Sequence, residues 1–426
     1  MDHFHINNGV MHCEGVALPV IAEAVGTPVY VYSTATMQRH VRVFRDALVK
    51  LGDPLIAFAV KANPNAAVLA TLAREGIGAD VVSGGEYRRV RAAGIPAERI
   101  VFSGVGKTEA EMALALQGGL CQFNVESVDE AQMLSRVAND MGRTAPIAFR
   151  INPDVQAGTH AKISTGGARN KFGVPFGDAV AAYHLARALP GLAVQGIAVH
   201  IGSQLTNLTP LRDAFDKVGS LIAELRAAGH VLTLADLGGG LGVPYDPNLP
   251  EPPSPEDYGR MVAEVTGGWD IRLAFEPGRL IVANAGILLS EVIRMKPGAG
   301  PEATPFVVVD AAMNDLMRPS LYDAWHGIDA VTPRGGKMVA NVVGPVCESG
   351  DTFATDRPMD AVEAGDLVVF RTAGAYAATM SSTYNSRPLT PEVMVDGGQW
   401  AVVRPRRDID AMLKDEVLPA WLAGSV

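Results

Sequence analysis

The chain of 426 residues has few cysteines, no excess of positive charge and no long apolar run. Its cysteines, Cys13, Cys121 and Cys347, are too few and too scattered for a disulfide framework or a metal cluster, so reduced thiols in the cytoplasm are expected. A net charge of -10 and the lack of a basic stripe argue against a nucleic-acid or anionic-membrane partner. No apolar run reaches the roughly 18 residues of a membrane span, and the segment starting at Met1 does not resemble a signal peptide.

The middle of the chain alternates short apolar runs with helical patterns. The eight strand-like runs are 55–60, 80–82, 99–102, 121–125, 146–151, 193–201, 233–237 and 271–275, and nearly all are followed by a helix. This period is typical of a (β/α)8 barrel, although a doubly wound open sheet uses the same alternation. We favour a barrel over residues 31–280, because there are eight units and polar motifs follow many different strands.

The flanks of this region differ from it in composition. Valine- and threonine-rich runs separated by Gly, Pro and Asp occupy 305–310, 338–343, 366–371, 392–395 and 399–403. They predict a β-rich domain over residues 281–426. Residues 1–30 also contain strand-like segments that could join this sheet. The expected fold class is therefore α/β, a TIM-type barrel with a C-terminal β-rich domain that also takes strands from the N-terminus.

Lys61 stands at the end of the apolar run that begins at Leu55, in the segment AVKANPN. One interpretation is an ordinary lysine at a strand end, with its ammonium reaching water. The other is a desolvated lysine whose amine is kept partly neutral, fit to form a Schiff base with a carbonyl or with pyridoxal phosphate. This segment alone does not decide between the two.

Polar residues end many of the predicted strands, whereas the strand interiors are apolar. In a barrel the strand ends point into one mouth. The residues at these ends are Lys61, Asp80, Ser83, Asn124, Glu126, Arg150, His200, Ser203, Gly238–Gly240, Glu276 and Arg279. A solvated loop would supply a few of them by chance, so the whole set favours a functional site.

The triple glycine Gly238–Gly240 offers backbone N–H groups unhindered by side chains, which suits a phosphate. Tight strand-to-helix turns also use glycine, but Ser203 and Arg279 add donors in the late loops where barrels hold phosphate. A carboxylate such as Glu276 at a pyridine nitrogen would favour the protonated ring of pyridoxal phosphate. For His200, a general base, a ring stacked on the cofactor and a plain core histidine all stay open.

The chain resembles the fold-type III pyridoxal-phosphate-dependent decarboxylases over nearly its whole length. The motifs that carry the resemblance are AVKANPN (59–65), GADVVSGGE (78–86), RINPDV (150–155), GTHAKISTG (158–166), NKFG (170–173), HIGSQ (200–204), GGGLG (238–242), EPGR (276–279), MNDLMRPSLYDA (313–324), GPVCESGD (344–351) and GAYAATMSSTYNSRP (374–388). GTHAKISTG, HIGSQ, CESGD and the segment 318–322 resemble the branch that acts on diaminopimelate, not the eukaryotic ornithine branch.

The resemblance implies decarboxylation of meso-2,6-diaminopimelate to L-lysine and CO2, the last step of bacterial lysine biosynthesis, in a homodimer with shared active sites. The implied catalytic residues are Lys61, Cys347, Glu276 and His200, with Lys61 holding the cofactor and Cys347 of the other subunit donating a proton. The implied cofactor contacts are Lys61, Asp80, Ser203, Gly239, Gly240, Glu276, Pro277, Gly278, Arg279 and Tyr376. No metal is implied.

The implied substrate contacts are Arg279, Arg318, Tyr322, Glu348 and Tyr376. They are chemically reasonable, because the far end of the substrate is a zwitterion whose carboxylate needs an arginine and whose ammonium needs a glutamate. Cys347 could instead be a buried structural cysteine, but the polar residues that follow it argue against that.

Three alternatives remain for comparison. An ornithine, lysine or arginine decarboxylase shares the fold, but its substrate has no distal carboxylate for Arg318 and Tyr322. An alanine racemase shares the barrel, but there an arginine meets the pyridine nitrogen where Glu276 stands here. A pyridoxal-phosphate carrier is a single barrel, in which the β-rich domain with Cys347 would have no role.

Overall fold

The structure is a computed structural model that describes residues 2–156, 161–163, 165–167, 170–300 and 302–422. Residues 158–160 and 164 of the GTHAKISTG motif lie outside the described residues. The described chain forms two compact units. The barrel unit runs from Thr36 to Ala283, and the β unit combines the residues up to Ala35 with those from Asn284 onward. Within the described ranges, no helix has the length and apolar character that a membrane crossing requires.

Eight parallel strands of the barrel unit close on themselves. In chain order, strands 1 to 8 are Leu55–Ala59, Gly78–Val81, Ile100–Phe102, Gln122–Val125, Ala145–Asn152, Leu192–Val199, Leu234–Asp236 and Arg272–Phe275. Each pairs in parallel with the next, and strand 8 pairs with strand 1. A short strand, Val174–Pro175, lies beside strand 5. The barrel predicted from the β/α period is confirmed.

Helices follow the strands, and several of them start at polar side-chain caps. The helices are Thr34–Ala47, Ala66–Arg74, Gly84–Ala92, Glu109–Gly118, Val128–Asp140, Ala179–Arg187, Thr209–Ala227, Pro255–Thr266 and Arg279–Val282, with single 3-10 turns at Val49–Leu51, Val60–Ala62, Ala97–Arg99, Ala161–Ile163 and Phe176–Asp178. The Asn65 side chain accepts from Ala67 N, and Thr108 forms a capping box with Glu111. These caps satisfy N–H groups that a helix leaves unpaired, which fixes where the capped helices begin.

The barrel interior is apolar near the amino ends of the strands and polar further along. Leu55, Ala57, Val101, Leu234 and Ala274 form a small buried cluster there. On strand 4, the buried Gln122 side chain comes so close to Gly196 that a Cβ on this glycine would lie 2.1 Å from its Oε1. A glycine in strand 6 therefore makes room for the first of the polar side chains inside the barrel.

The β unit contains a small sheet and a large mixed sheet. The small sheet consists of Phe4–Asn7, Val10–Cys13 and Val16–Ala17; the large sheet contains Val29–Ser33, Gly286–Lys296, Phe306–Val309, Ile328–Ala330, Lys337–Val343, Thr352–Asp360, Leu367–Phe370, Glu392–Asp396 and Gln399–Arg404. Its helices are Leu18–Val25, Arg318–Tyr322 and Ile409–Leu413, with 3-10 turns at Ala378–Met380 and Tyr384–Ser386. The N-terminal strand Val29–Ser33 pairs with both Gly286–Lys296 and Glu392–Asp396, so it lies inside the large sheet.

The predicted β-rich domain with an N-terminal strand is confirmed, although three strands were not predicted. These are Gly286–Lys296, Ile328–Ala330 and Thr352–Asp360. The last contains Pro358 and several charged residues, and it lies at the edge of its sheet. An edge strand tolerates proline and charge because one side of its backbone makes no ladder hydrogen bonds. Its composition therefore carries little strand signal.

Candidate active site

Lys61 lies in a single 3-10 turn, Val60–Ala62, that follows strand 1. Its Nζ is 3.7 Å from Oδ2 of Asp80 on strand 2, and the Lys61 side chain is 41% exposed whereas that of Asp80 is fully buried. The lysine is therefore partly solvated at the strand end. Its electrostatic neighbour is a buried carboxylate.

Three buried acids, Asp80, Asp236 and Glu276, lie inside the barrel. Asn124 Nδ2 donates to Asp236 Oδ2 at 2.8 Å and approaches Glu276 Oε1 at 3.5 Å. Ser103 Oγ donates to the same Glu276 oxygen at 3.2 Å. These contacts hold the Glu276 carboxyl from the side and connect it to Asp236 through a single amide.

Burial and mutual repulsion change the proton affinities of these acids. Burial, followed by the charges of Asp236 and Asp80, raises the pKa of Glu276 well above its ordinary value. The contact with the Asp236 side chain also raises this pKa, whereas the Lys61 ammonium lowers it. Burial raises the pKa of Asp80 as well, while the Lys61 ammonium acts to lower it. Burial and the neighbouring carboxylates therefore both disfavour the charged form of Glu276.

The triple glycine forms a turn directly after strand 7 in which side chains do not fit. A Cβ on Gly239 would lie 2.2 Å from the carbonyl oxygen of Glu276, and one on Gly240 would lie 2.4 Å from that of Gly202. Gly240 also has a φ of +118°. Asp236 Oδ1 accepts from Gly238 N at 3.0 Å, which ties the turn to the buried acids. The turn thus presents bare backbone beside Glu276.

Arg279 is buried and held by two hydroxyl groups. Its Nη1 donates to Tyr245 Oη at 2.7 Å and its Nη2 to Ser203 Oγ at 3.1 Å. The preceding residues of the EPGR motif dock on the barrel, since Ala59 N donates to Pro277 O at 3.1 Å. Gly278 is the N-cap of the short helix that starts at Arg279. A guanidinium and a serine hydroxyl therefore lie together beside the late strands, as expected for anion binding.

His200 follows strand 6 and its ring faces the glycine turn. Gly239 N donates to its Nδ1 at 3.2 Å, so Nδ1 carries the lone pair and Nε2 carries the hydrogen. Burial and the cations Arg150 and Lys61 lower the pKa of His200 well below its ordinary value. The ring is therefore neutral, in one defined tautomer.

The remaining strand-end residues predicted from the sequence serve the scaffold. The Ser83 side chain caps helix Gly84–Ala92 by accepting from Glu86 N. Glu126 pairs with Arg150 at 3.1 Å and accepts from Gly173 N at 2.7 Å, and Arg150 Nη2 donates to the His200 carbonyl at 3.2 Å. These contacts orient the backbone around His200.

The barrel residues suit a pyridoxal phosphate group on structural grounds. The buried Asp80 carboxylate faces the Lys61 ammonium and Ser103, so a group held by Lys61 would lie against it. The glycine turn, Ser203 and Arg279 match a phosphate, and Glu276 matches a basic ring nitrogen. Lys61 supplies a primary amine next to them. Together, these side chains and backbone groups offer a partner for each polar group of this cofactor.

The predicted substrate residues in the β unit form their own arrangement. Arg318 begins the short helix that ends at Tyr322, and it is 5% exposed. Its Nη1 lies 2.8 Å from Nε2 of His326, whose Nδ1 lies 2.8 Å from the carbonyl oxygen of Arg371. Tyr376 is half-buried in a separate loop, with a φ of +53°. The arginine is thus buried and oriented before any substrate arrives.

Cys347 and Glu348 are exposed in a loop that Asp351 holds in place. The buried Asp351 carboxylate accepts from Val346 N at 2.6 Å and from Met313 N at 2.6 Å. One carboxylate therefore joins the loop bearing Cys347 to the segment that leads to Arg318. A hydrogen bond to Glu348 raises the pKa of Tyr384, which places this phenol beside the glutamate.

Sequence reasoning missed five residues that touch these candidates. They are Ser103, Asp236, Tyr245, His326 and Asp351. Ser103 and Asp236 directly follow or end a strand, so the strand-end rule applied to every strand would have found them. The other three lie in loops or turns, and their partners are set by the tertiary fold.

Comparisons with known proteins agree with this geometry. Residues 34–283 match the family described as "Pyridoxal-dependent decarboxylase, pyridoxal binding domain". Diaminopimelate decarboxylase of Zymomonas mobilis is 53% identical over 98% of this chain and 99% of its own. That of Vibrio cholerae is 48% identical over 98% of this chain and 100% of its own. The crystal structure of diaminopimelate decarboxylase from M. jannaschii in co-complex with L-lysine superposes with a TM-score of 0.94, at 35% identity, covering 99% of both chains.

The barrel, its lysine and its glycine turn, together with this match, define a pyridoxal-phosphate-dependent decarboxylase. The near full-length identity to curated relatives narrows the class further. The chain belongs to the diaminopimelate decarboxylase family.

Proposed function

We propose that this chain decarboxylates meso-2,6-diaminopimelate at its D-configured carbon, yielding L-lysine and CO2. The observation that carries the choice of substrate is the buried, pre-oriented Arg318 in a chain that shares 53% identity with a diaminopimelate decarboxylase. A substrate with a carboxylate at its far end needs such a guanidinium, whereas ornithine and lysine offer no partner for it.

In the barrel, we assign cofactor binding to the residues that surround Lys61. Lys61 would hold the cofactor covalently through its amine, and Asp80 would keep that amine oriented. The phosphate would lie against Gly239, Gly240, Ser203 and Arg279, with Pro277 and Gly278 shaping the same segment and Tyr376 adding a hydroxyl. Bound pyridoxal phosphate supplies an electron sink for the bond that releases CO2.

Glu276 and His200 would tune the electronics of the site. Burial and the nearby acids raise the pKa of Glu276, and its carboxyl group would partner a basic ring nitrogen brought beside it. Asn124 and Ser103 keep this carboxyl group in place through hydrogen bonds. Because His200 is neutral, we propose that its ring provides a flat packing surface in the site and does not transfer a proton.

For proton return, we assign Cys347 as the donor. When CO2 leaves, its bonding electron pair stays with the substrate carbon, which must then accept a proton. The Cys347 thiol would give this proton, and the thiolate would recover one from solvent. Glu348 would pair with the distal ammonium of the substrate, while Arg318, Tyr322, Arg279 and Tyr376 would hold the carboxylates.

We further propose a homodimer in which one protomer supplies Lys61 and its partner supplies Cys347. Support comes from the exposure of Cys347 and Glu348 on a loop that Asp351 keeps ordered. An exposed loop whose backbone is fixed in this way suits an isologous contact. We also propose a cytoplasmic location, since Cys13, Cys121 and Cys347 are all free thiols.

A direct assay tests the reaction. Purified holoenzyme should release CO2 from meso-diaminopimelate and not from L-ornithine, with D-lysine as a substrate that lacks the distal carboxylate. Borohydride should fix the pyridoxyl group on the peptide that contains Lys61. Preferred turnover of L-ornithine would instead assign the chain to the diamine-forming decarboxylases. Bound cofactor without turnover of any of the three would indicate a carrier.

A further inference from the structure

A buried histidine lies directly against the arginine that we assign to the substrate's distal carboxylate. His326 is 2% exposed, and its two ring nitrogens have different neighbours. Nε2 is 2.8 Å from Arg318 Nη1, and Nδ1 is 2.8 Å from the carbonyl oxygen of Arg371. All three residues belong to the β unit.

These two contacts determine where the ring hydrogen lies. A guanidinium only donates hydrogen bonds and a carbonyl oxygen only accepts them. Nε2 must therefore offer its lone pair to Arg318, and Nδ1 must carry the hydrogen that is donated to Arg371 O. A hydrogen on Nε2 would point at the guanidinium, and a doubly protonated ring would place two cations 2.8 Å apart.

The histidine is itself fixed by its surroundings. Its carbonyl oxygen accepts from Arg357 Nη1 at 2.8 Å, and the Arg357 guanidinium packs 4.2 Å from the centroid of the Trp325 ring. The fixed histidine in turn holds Nη1 of Arg318. Because the donors of a guanidinium lie in one plane, holding this group restricts the direction of the other donors of Arg318. An arginine that is ordered in advance loses less entropy when it binds a carboxylate.

We infer that His326 is a positioning residue that aims Arg318 at the distal carboxylate of the substrate, and so helps to set specificity. The inference rests on the role proposed for Arg318. It predicts that a side chain presenting an acceptor at the place of Nε2 preserves specificity, whereas one that reaches only the place of Nδ1 does not.

Two amide substitutions of His326 distinguish the roles of these two ring nitrogens. The Oε1 of glutamine in His326→Gln reaches the region of Nε2 and can accept from Arg318. In His326→Asn the shorter amide can still donate to the Arg371 carbonyl but does not reach Arg318. The exposed His5 of the same unit, changed in His5→Asn, serves as the control.

The measurements use the holoenzyme and compare ligands with and without the distal carboxylate. We expect His326→Asn to raise the KM for meso-diaminopimelate and the Ki of L-lysine about ten-fold, as for the loss of a charged hydrogen bond. The kcat should stay within about three-fold, because the contact acts on bound substrate and transition state alike. The Ki of cadaverine, which has no carboxylate, should not change. His326→Gln should stay within about three-fold of the wild type for all three ligands.

Several outcomes overturn the inference. Equal losses for L-lysine and cadaverine would indicate a structural role, and equal behaviour of His326→Asn and His326→Gln would show that the acceptor at Nε2 does not matter. Arg318→Met is measured in parallel. If it shifts the ratio of the two Ki values and His326→Asn does not, only the role of His326 falls; if neither shifts the ratio, the role of Arg318 falls with it.

A second measurement covers the case in which His326→Asn fails to fold. Nitrogen-15 spectra of the wild-type ring, assigned by the loss of signals in His326→Gln, report which nitrogen is protonated. A hydrogen on Nδ1 supports the inference, and a hydrogen on Nε2 overturns it.

Discussion

At the scale of single residues, the acids of the barrel show how burial changes the meaning of a motif. The EPGR motif suggests a carboxylate at Glu276, yet burial and the nearby Asp236 and Asp80 raise its pKa well above the ordinary value. A group with a raised pKa at this place would share a proton with a basic ring nitrogen more readily than an ordinary carboxylate. Ser103 and Asn124 provide the hydrogen bonds that keep it in position.

We expect Glu276→Gln to lower kcat about 100-fold, a loss typical of removing one electrostatic stabiliser of a transition state. The neutral amide cannot balance the charge of a protonated ring. Binding of pyridoxal phosphate should change much less, since the glycine turn and Ser203 are intact. Steady-state kinetics and a cofactor titration of the apoprotein check both parts. The exposed Glu264, changed in Glu264→Gln, is the control, and a kcat equal to that of wild type would remove Glu276 from the ring partner role.

Specificity is expected to depend on Arg318. Arg318→Met should lower kcat/KM for meso-diaminopimelate roughly ten- to a hundred-fold, because the distal carboxylate loses a charged hydrogen bond. Turnover of D-lysine should fall less or even rise. Arg334→Met, which changes an exposed arginine of the same unit, should leave both substrates unaffected. A parallel decline on both substrates would point to a structural or cofactor role for Arg318.

At the scale of elements, the carboxyl ends of the barrel strands concentrate polar groups that are far apart in the chain. The turn after strand 7 lies against the segment after strand 8, with Glu276 N donating to Gly238 O at 2.7 Å. This close backbone contact leaves no space for a Cβ at Gly239. The glycine is therefore required by packing as well as by any phosphate.

We predict that Gly239→Ala weakens pyridoxal phosphate binding about ten-fold or more, since overpacking of this size costs on the order of 1–3 kcal/mol. The new methyl would push the Glu276 carbonyl away and distort the turn. Fluorescence titration of the apoprotein measures the dissociation constant. Gly177→Ala is the matched control, because a Cβ there meets no atom within 4 Å. Unchanged affinity in Gly239→Ala would show that the turn can relax and does not cradle the phosphate.

At the scale of the whole molecule, the proposed residues fall into two units of the chain. Lys61, Asp80 and Glu276 belong to the barrel unit, whereas Cys347 and Arg318 belong to the β unit. A site that needs both sets can be completed by one chain or by two, and a mixing experiment distinguishes these cases.

If the site is shared, co-expressed Lys61→Ala and Cys347→Ala chains should regain up to about a quarter of wild-type activity. About half of randomly formed dimers are mixed, and one of the two sites in each mixed dimer is intact. Each variant alone should be poorly active. The control pairs Lys61→Ala with Glu276→Gln, two changes within one barrel, and should recover nothing. Mixed dimers of the first pair without activity would place Cys347 in the site of its own chain.

The sequence by itself determined the order of strands and helices in the barrel, the positions of the glycine turn and the lysine, and the family. These features are local: apolar spacing, caps and short motifs lie within a few residues of one another, so a linear reading detects them. The edge strand Thr352–Asp360 escaped this reading because edge strands need no apolar pattern.

Only the tertiary structure decided which polar groups meet. Ser103 with Glu276, Tyr245 with Arg279 and His326 with Arg371 are pairs of residues from separate loops or strands. No local pattern marks such partners, because closure of a sheet or packing of a loop brings them together. The raised pKa of Glu276 and the tautomer of His326 depend on these partners and on burial. Both were therefore beyond the reach of the sequence and followed directly from the fold.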